Sequence, residues 1–196
     1  MIELGIAAST RAGETASADR CVVRVLHCVD FIAVVDGVGH GASAAAAAEI
    51  AIGTLGEHAG EPLDALFARC HAALRSTRGV VVSAATLDAR TSELCWLGIG
   101  NVEAVRVPVD ARAPSTSLVL RGGIVGHRLP RLLPETLPIA HGDALVFATD
   151  GVCSGFRTLL PVLGPAQHGA DRILASCRKS DDDALVLVAR YLGRGP

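Results

Sequence analysis

An excess of charge of either sign is missing from this sequence. Eighteen Lys and Arg stand against twenty Asp and Glu, a net charge of −2. No basic footprint for nucleic acid follows from that balance, and no polybasic patch for a membrane surface. Long uncharged apolar runs are missing too: none approaches the roughly 18–20 residues of a membrane-spanning helix. The opening stretch "MIELGIAASTRAGE" carries an acid at position 3 and no basic region, so it does not read as a secretory leader. Six cysteines (Cys21, Cys28, Cys70, Cys95, Cys153 and Cys177) include no CxxC pair, which disfavours a zinc site and fits buried thiols in a reducing cytoplasm. Lysine is nearly absent, with Lys179 alone among many arginines.

Aliphatic and small residues fill the chain instead. Half of its 196 residues are apolar, enough for one globular domain with a sizeable core, and no internal repeat or domain boundary is visible. Short β-branched runs at 2–9, 21–28 and 31–37 read as strands. Two helical stretches follow at 43–58, which is Ala-rich, and 62–76, which starts with Pro at a first-turn position. Strands resume at 80–88, 93–100, 102–107 and 116–121. Residues 122–143 read as a long loop with room for one short strand. A strand at 143–151, one or two helices within 157–178 and a strand at 183–191 complete the chain. Successive strands without intervening helices argue for antiparallel sheets. Two such sheets packed face to face, with helices outside, would bury this much Val, Leu and Ala.

The chemistry lies where strands meet aspartates. "VVDG" ends in Asp36, "VFATDG" ends in Asp150, and "SDDDALVLV" opens with Asp181, Asp182 and Asp183; Asp19 stands just before "CVVRV". Carboxylates beside a hydrophobic core are costly unless solvated, paired or bound to metal. A single Asp at a strand end is ordinary turn chemistry, but the repeated strand–Asp–Gly arrangement is not. All-oxygen ligation suits a hard cation such as Mg²⁺ or Mn²⁺. Two such ions can activate a water and clamp a phosphoryl group, with no Ser or Cys nucleophile.

Taken in order, "VVDGVGHG", "LVFATDGV" and "DDDALVLVAR" resemble the signature blocks of the metal-dependent protein phosphatases (PPM, or type-2C), in particular the SpoIIE-like branch and its stressosome phosphatases. The resemblance spans nearly the whole chain. It implies a single-domain α+β protein, a four-layer α/β/β/α sandwich with two Mn²⁺ or Mg²⁺ ions. The implied activity is hydrolysis of phosphoserine or phosphothreonine on partner proteins, here phosphorylated STAS-domain proteins of a stressosome-like complex in the cytoplasm. By the same resemblance Asp36 bridges both metals, and the Gly37 carbonyl completes one coordination sphere. Asp150 and Asp181 are further ligands, with Asp182 replacing Asp181 if the register slips by one, and Asp19 acts through a metal-bound water. His40 stands two residues beyond the position of a family histidine held by Val38 here. It is the candidate proton donor; loop packing before the helix at 43 is its plainer role. Asn101 stands where many relatives have an acid for a third metal. Arg11 and Arg20 are candidates for contacting phosphate.

Rival readings remain open at this level. "GVGHGA" (37–42) satisfies a dinucleotide fingerprint, but that fold needs a second strand ending in an acid about 20 residues on, and Glu57 there ends a helical segment. "GVCSG" around Cys153 matches a nucleophile elbow, yet no acid separates Cys153 from His168, the last His. A catalytically inactive member of the same fold, acting by binding alone, is the remaining alternative.

Overall fold

The computed structural model describes residues 1–193. Along the chain run β1 (Ile2–Ser9), β2 (Asp19–Leu26), β3 (Val29–Gly37), α1 (Ala42–Glu57), α2 (Leu63–Ala73), β4 (Val80–Asp88), β5 (Glu93–Ile99), β6 (Glu103–Val107), β7 (Thr116–Ser117), β8 (Leu120–Arg121), β9 (Glu135–Pro138), β10 (Ala144–Ala148), α3 (Ala166–Cys177) and β11 (Ala184–Tyr191). One sheet has the order β1-β11-β10-β6-β7 and the other β2-β3-β4-β5-β8, with β9 also on β5. Every pairing is antiparallel except β5 with β8. Helices α1 and α2 cover the second sheet and α3 covers the first, giving the expected α/β/β/α order of layers.

The alternation of side chains along each central strand explains the layering. Phe31, Ala33 and Val35 of β3 face α1 and α2. Ile32 and Val34 between them face the opposite sheet. On β11, Ala184, Val186 and Val188 face α3, whereas Leu185, Leu187, Ala189 and Tyr191 face the opposite sheet. A strand covered on both faces reads as a continuous apolar run rather than an alternating one. Three apolar seams result: helix on sheet, sheet on sheet and sheet on helix. Helix α1 meets its sheet through Ala47, Ala48, Ala51 and Leu55, all fully buried. These small side chains let the helix lie close to β2 and β3.

One expectation changes and another is made specific. The segment at 116–121 is not one strand: β7 pairs with β6 in one sheet and β8 with β5 in the other, so the chain crosses between sheets at Leu118. The region at 157–178 holds a short 3₁₀ turn at Ser154–Leu159 and then α3. The dinucleotide reading fails on topology, because β3 lies between antiparallel neighbours β2 and β4 and a Rossmann unit needs parallel strands. No helix among the described residues is long and apolar enough to cross a membrane.

The tight seam under α1 gives a direct check. Ala48→Leu overpacks a full contact and is expected to cost about 1–3 kcal/mol in urea unfolding. Ala46→Leu, on the exposed side of the same helix, stays within about 0.5 kcal/mol of wild type.

Candidate active site

The apolar seam between the two sheets ends in acid. Continuing the inward row of Ile32 and Val34, the next inward position on β3 is Asp36. On β2 the inward row of Val23 and Cys21 ends at Asp19, which pairs directly opposite Asp36. Opposed residues of an antiparallel pair share a face at about 4.5–5.5 Å between Cβ atoms, so two carboxylates are forced together at one edge of the seam. From the other sheet, β10 runs through Leu145 and Phe147 to Thr149, followed by Asp150. Strand β11 is preceded by Asp182 and Asp183.

A cleft of about 410 Å³ opens at this edge. Asp36, Asp150, Asp182, Arg11, His40 and Asn101 supply its polar lining. Asp19 is buried behind it. The Thr149 hydroxyl donates to Asp19 Oδ2 (2.7 Å) and accepts from the Leu185 amide (2.8 Å). Asn101 Nδ2 donates to Asp150 Oδ2 (2.8 Å). The Lys179 ammonium donates to the Asp150 backbone carbonyl (2.6 Å). His40 Nδ1 lies 3.0 Å from Glu14 Oε1.

Two glycines make the turns around the acids possible. A Cβ at Gly37 would collide with the Ala44 carbonyl at the start of α1, and one at Gly151 would collide with the Asp183 carbonyl. Gly37 is buried, and its amide donates to the Ala18 carbonyl (3.1 Å). The glycine after each acid is therefore a close-approach residue that brings neighbouring backbone up to the carboxylate.

Of the three consecutive acids before β11, the structure turns the second toward the cleft. Asp183 takes the inward position, and both its oxygens are occupied: Oδ1 accepts from the Arg11 amide (2.8 Å) and Oδ2 from the Ala18 amide (2.7 Å). Asp182 lines the cleft, while Asp181 is exposed and outside it. Of the two alternatives, Asp182 rather than Asp181 lies at the cleft, because Asp183, just before β11, is already used as a backbone tether. Arg20 is also outside, donating to the Asp19 carbonyl and facing Glu49 at 3.7 Å; of the two candidate arginines only Arg11 reaches the cleft. Sequence reasoning missed Asp183 and Thr149 as organisers of the acids, although both lie within the quoted blocks.

The electrostatics are strained. Burial pushes the Asp36 carboxyl up to about 8, with Asp19, Asp150, Asp182 and Asp183 adding to the shift. Burial likewise pushes Asp19 up to about 7 against the opposing Thr149 hydrogen bond, and Asp183, Asp150 and Asp182 raise it further. Asp182 is raised by burial and by Asp150. Buried Asp143 shows the contrast: the Arg106 guanidinium (2.7 and 3.0 Å) and the amides of Val109 and Ala140 donate to it. Of the described residues at the cleft only Arg11 opposes the acids, and it lowers Asp182 alone; no cation relieves Asp36 or Asp19, an excess of negative charge that suits a bound cation. Among the described residues no three His, Cys, Asp or Glu side chains are already gathered at ligand spacing.

Comparison with known proteins identifies the family and the fold. A family model described as stage II sporulation protein E (SpoIIE) matches residues 31–192. The chain belongs to the SpoIIE family. No curated protein matches the chain by sequence. Among solved structures, one from work on the bacterial stressosome as a modular system adapted to control secondary messenger signalling is 32% identical. It covers 97% of this chain and 100% of its own, with a TM-score of 0.89. RsbX in complex with magnesium is 18% identical over 96% of this chain and 94% of its own, TM-score 0.86. The PP2C phosphatase domain of SpoIIE from Bacillus subtilis is 18% identical over 100% of this chain and 64% of that one, TM-score 0.83. The fold of this SpoIIE-family chain is therefore that of the PPM phosphatases.

The shifts of Asp19 and Asp36 both lie above the ordinary carboxyl value of 3.8. Between about pH 4 and 8 the folded protein therefore binds more protons than the unfolded chain, and stability falls as pH rises through that window. In EDTA the melting temperature is expected to be lower at pH 8.5 than at pH 5.5. A net loss of 2 kcal/mol corresponds to about 4–8 °C at this size. Asp36→Asn removes part of the repulsion and is expected to raise the pH 8.5 midpoint in scanning calorimetry.

Proposed function

We propose that this SpoIIE-family chain is a one-domain, cytoplasmic, metal-dependent phosphatase acting on phosphoserine or phosphothreonine of partner proteins. One observation carries the reading: carboxylates from both sheets, Asp36, Asp150 and Asp182, meet in a single cleft with Asp19 buried behind it, and among the described residues Arg11 is the one cation in the cleft lining. Asp36, Asp150 and Asp182 are the proposed side-chain ligands of two Mg²⁺ or Mn²⁺ ions. The Gly37 carbonyl would serve as a further ligand, with Asp19 behind Asp36 acting through water. When bound, such ions activate water and offset charge on a transferring phosphoryl group. Asn101 in place of a further acid supports two ions rather than three, since its amide is already committed to Asp150.

The remaining residues have roles that follow from their positions. Arg11 supplies a fixed positive charge in the cleft for phosphate oxygens. Its loop is held by the Asp183 tether. His40 is at the cleft with Nδ1 engaged by Glu14, which leaves Nε2 as the nitrogen able to pass a proton to the departing Ser or Thr oxygen. The 32%-identical neighbour from stressosome work supports phosphorylated STAS-domain proteins of a stressosome-like complex as the substrates.

Phosphate release from a phosphorylated STAS protein should need Mg²⁺ or Mn²⁺ and stop with EDTA. Asp36→Asn and Asp150→Asn should each lower kcat at least about 100-fold, on the scale of losing a transition-state charge contact. Asp182→Asn should do the same and Asp181→Asn should stay within about twofold; the reverse pattern would make Asp181 the ligand. Binding of the phosphoprotein without turnover at any metal concentration would instead support an inactive binding module. His40→Ala should slow a phosphoserine peptide by about 10²-fold or more while sparing an aryl phosphate, whose leaving group needs no proton. Equal losses on both substrates would remove His40 from the proton-transfer role.

A further inference from the structure

Outside the cleft, Cys153 and Cys177 form a matched pair. Val152 and Arg178 make an antiparallel bridge just beyond the Asp150 turn. Its flanking bonds are the Cys153 amide donating to the Cys177 carbonyl and the Lys179 amide donating to the Gly151 carbonyl, both 2.8 Å. That register sets Cys153 directly opposite Cys177 with the side chains on one face. Opposed residues of an antiparallel pair have Cα atoms about 4.5–5.5 Å apart, inside the roughly 4.4–6.8 Å that a disulfide spans. Cys177 belongs to the apolar seam under α3 and Cys153 packs against the same seam. Both are free in this structure. Cys153 is partly exposed and Cys177 is buried.

We infer that Cys153 and Cys177 are a reversible disulfide site, oxidised by hydrogen peroxide or a small organic hydroperoxide. Cys153, the accessible sulfur, attacks a peroxide oxygen. The O–O bond breaks, and with hydrogen peroxide the leaving hydroxide takes the thiol proton as water. Cys177 then attacks the Cys153 sulfur of the sulfenic acid. The S–S bond forms, the S–O bond breaks, and the second hydroxide leaves with the Cys177 proton as water. Two thiols and one peroxide give one disulfide and two waters. The bond joins the last turn of α3 to the chain just after Asp150, next to the point where Lys179 holds the Asp150 carbonyl. In a reducing compartment such a bond is transient and fits redox sensing better than permanent support. Cross-linking this segment raises the melting temperature by restricting the unfolded chain.

Full-length protein treated with equimolar hydrogen peroxide and digested without reductant should yield one peptide linked through Cys153 and Cys177, in monomeric protein, with two thiols lost. Dithiothreitol should restore both thiols and the lower melting temperature. Cys177→Ser should instead leave Cys153 as a trappable sulfenic acid, with no rise in melting temperature. The inference is overturned if wild-type Cys153 ends as a sulfenic or sulfinic acid without the link, or if the link joins two chains. If the serine variant does not fold, the wild-type peptide map decides alone.

Discussion

Everything at the cleft depends on one electrostatic conflict: acids placed at the end of a hydrophobic seam with nothing positive close enough to neutralise them. The conflict is built by register. Asp19 and Asp36 sit opposite each other because β2 and β3 pair residue for residue up to their ends, and both face inward because the alternation that buries Ile32 and Val34 continues for one more step. Shifting β2 by one residue would relieve the repulsion but would also take Cys21 and Val23 out of the seam and put Arg20 and Arg24 in their place. The packing of the sandwich therefore holds the acids in place at a cost in stability. Chains with this arrangement are stable despite their site, a usual trade where a functional centre needs charge in a poorly solvated place.

Not every buried acid of the chain takes part in this conflict. Asp143 is fully satisfied by Arg106 and two amides, and Asp183 spends both oxygens on backbone amides of the segment before β2. Partner count therefore distinguishes the satisfied acids, Asp143 and Asp183, from those of the cleft. Asp36 sits at the far end of that scale, with burial and four neighbouring acids all acting in the same direction.

Much of this was legible in the sequence. Central strands announced themselves as unbroken apolar runs, because both their faces are covered. The acids announced themselves by recurring where such runs stop. Less was legible where neighbours decide the outcome. The segment at 116–121 has strand composition throughout, but its halves pair with different sheets, and no local propensity encodes a change of partner. Three consecutive aspartates are chemically alike. Only the strand register at Ala184 and the amides of Arg11 and Ala18 separate the tether Asp183 from the cleft residue Asp182. Thr149 looked like filler between a strand and its acid, yet its hydroxyl joins Asp19 to β11.

The Asp183 tether also constrains the order in which the molecule is made. It joins the last strand to a segment at the beginning of the chain, across a sequence separation of 172 residues to Arg11 and 165 to Ala18. Strand β1 likewise has β11 as its partner. A nascent chain emerging from the ribosome can pair β2 with β3 early, but it cannot fix Arg11, cover Asp19 or complete the cleft until β11 is free. Long-range closure of this kind is slow relative to local pairing. The acidic edge is therefore complete only once β11 has paired with β1 and its Asp183 has reached Arg11 and Ala18.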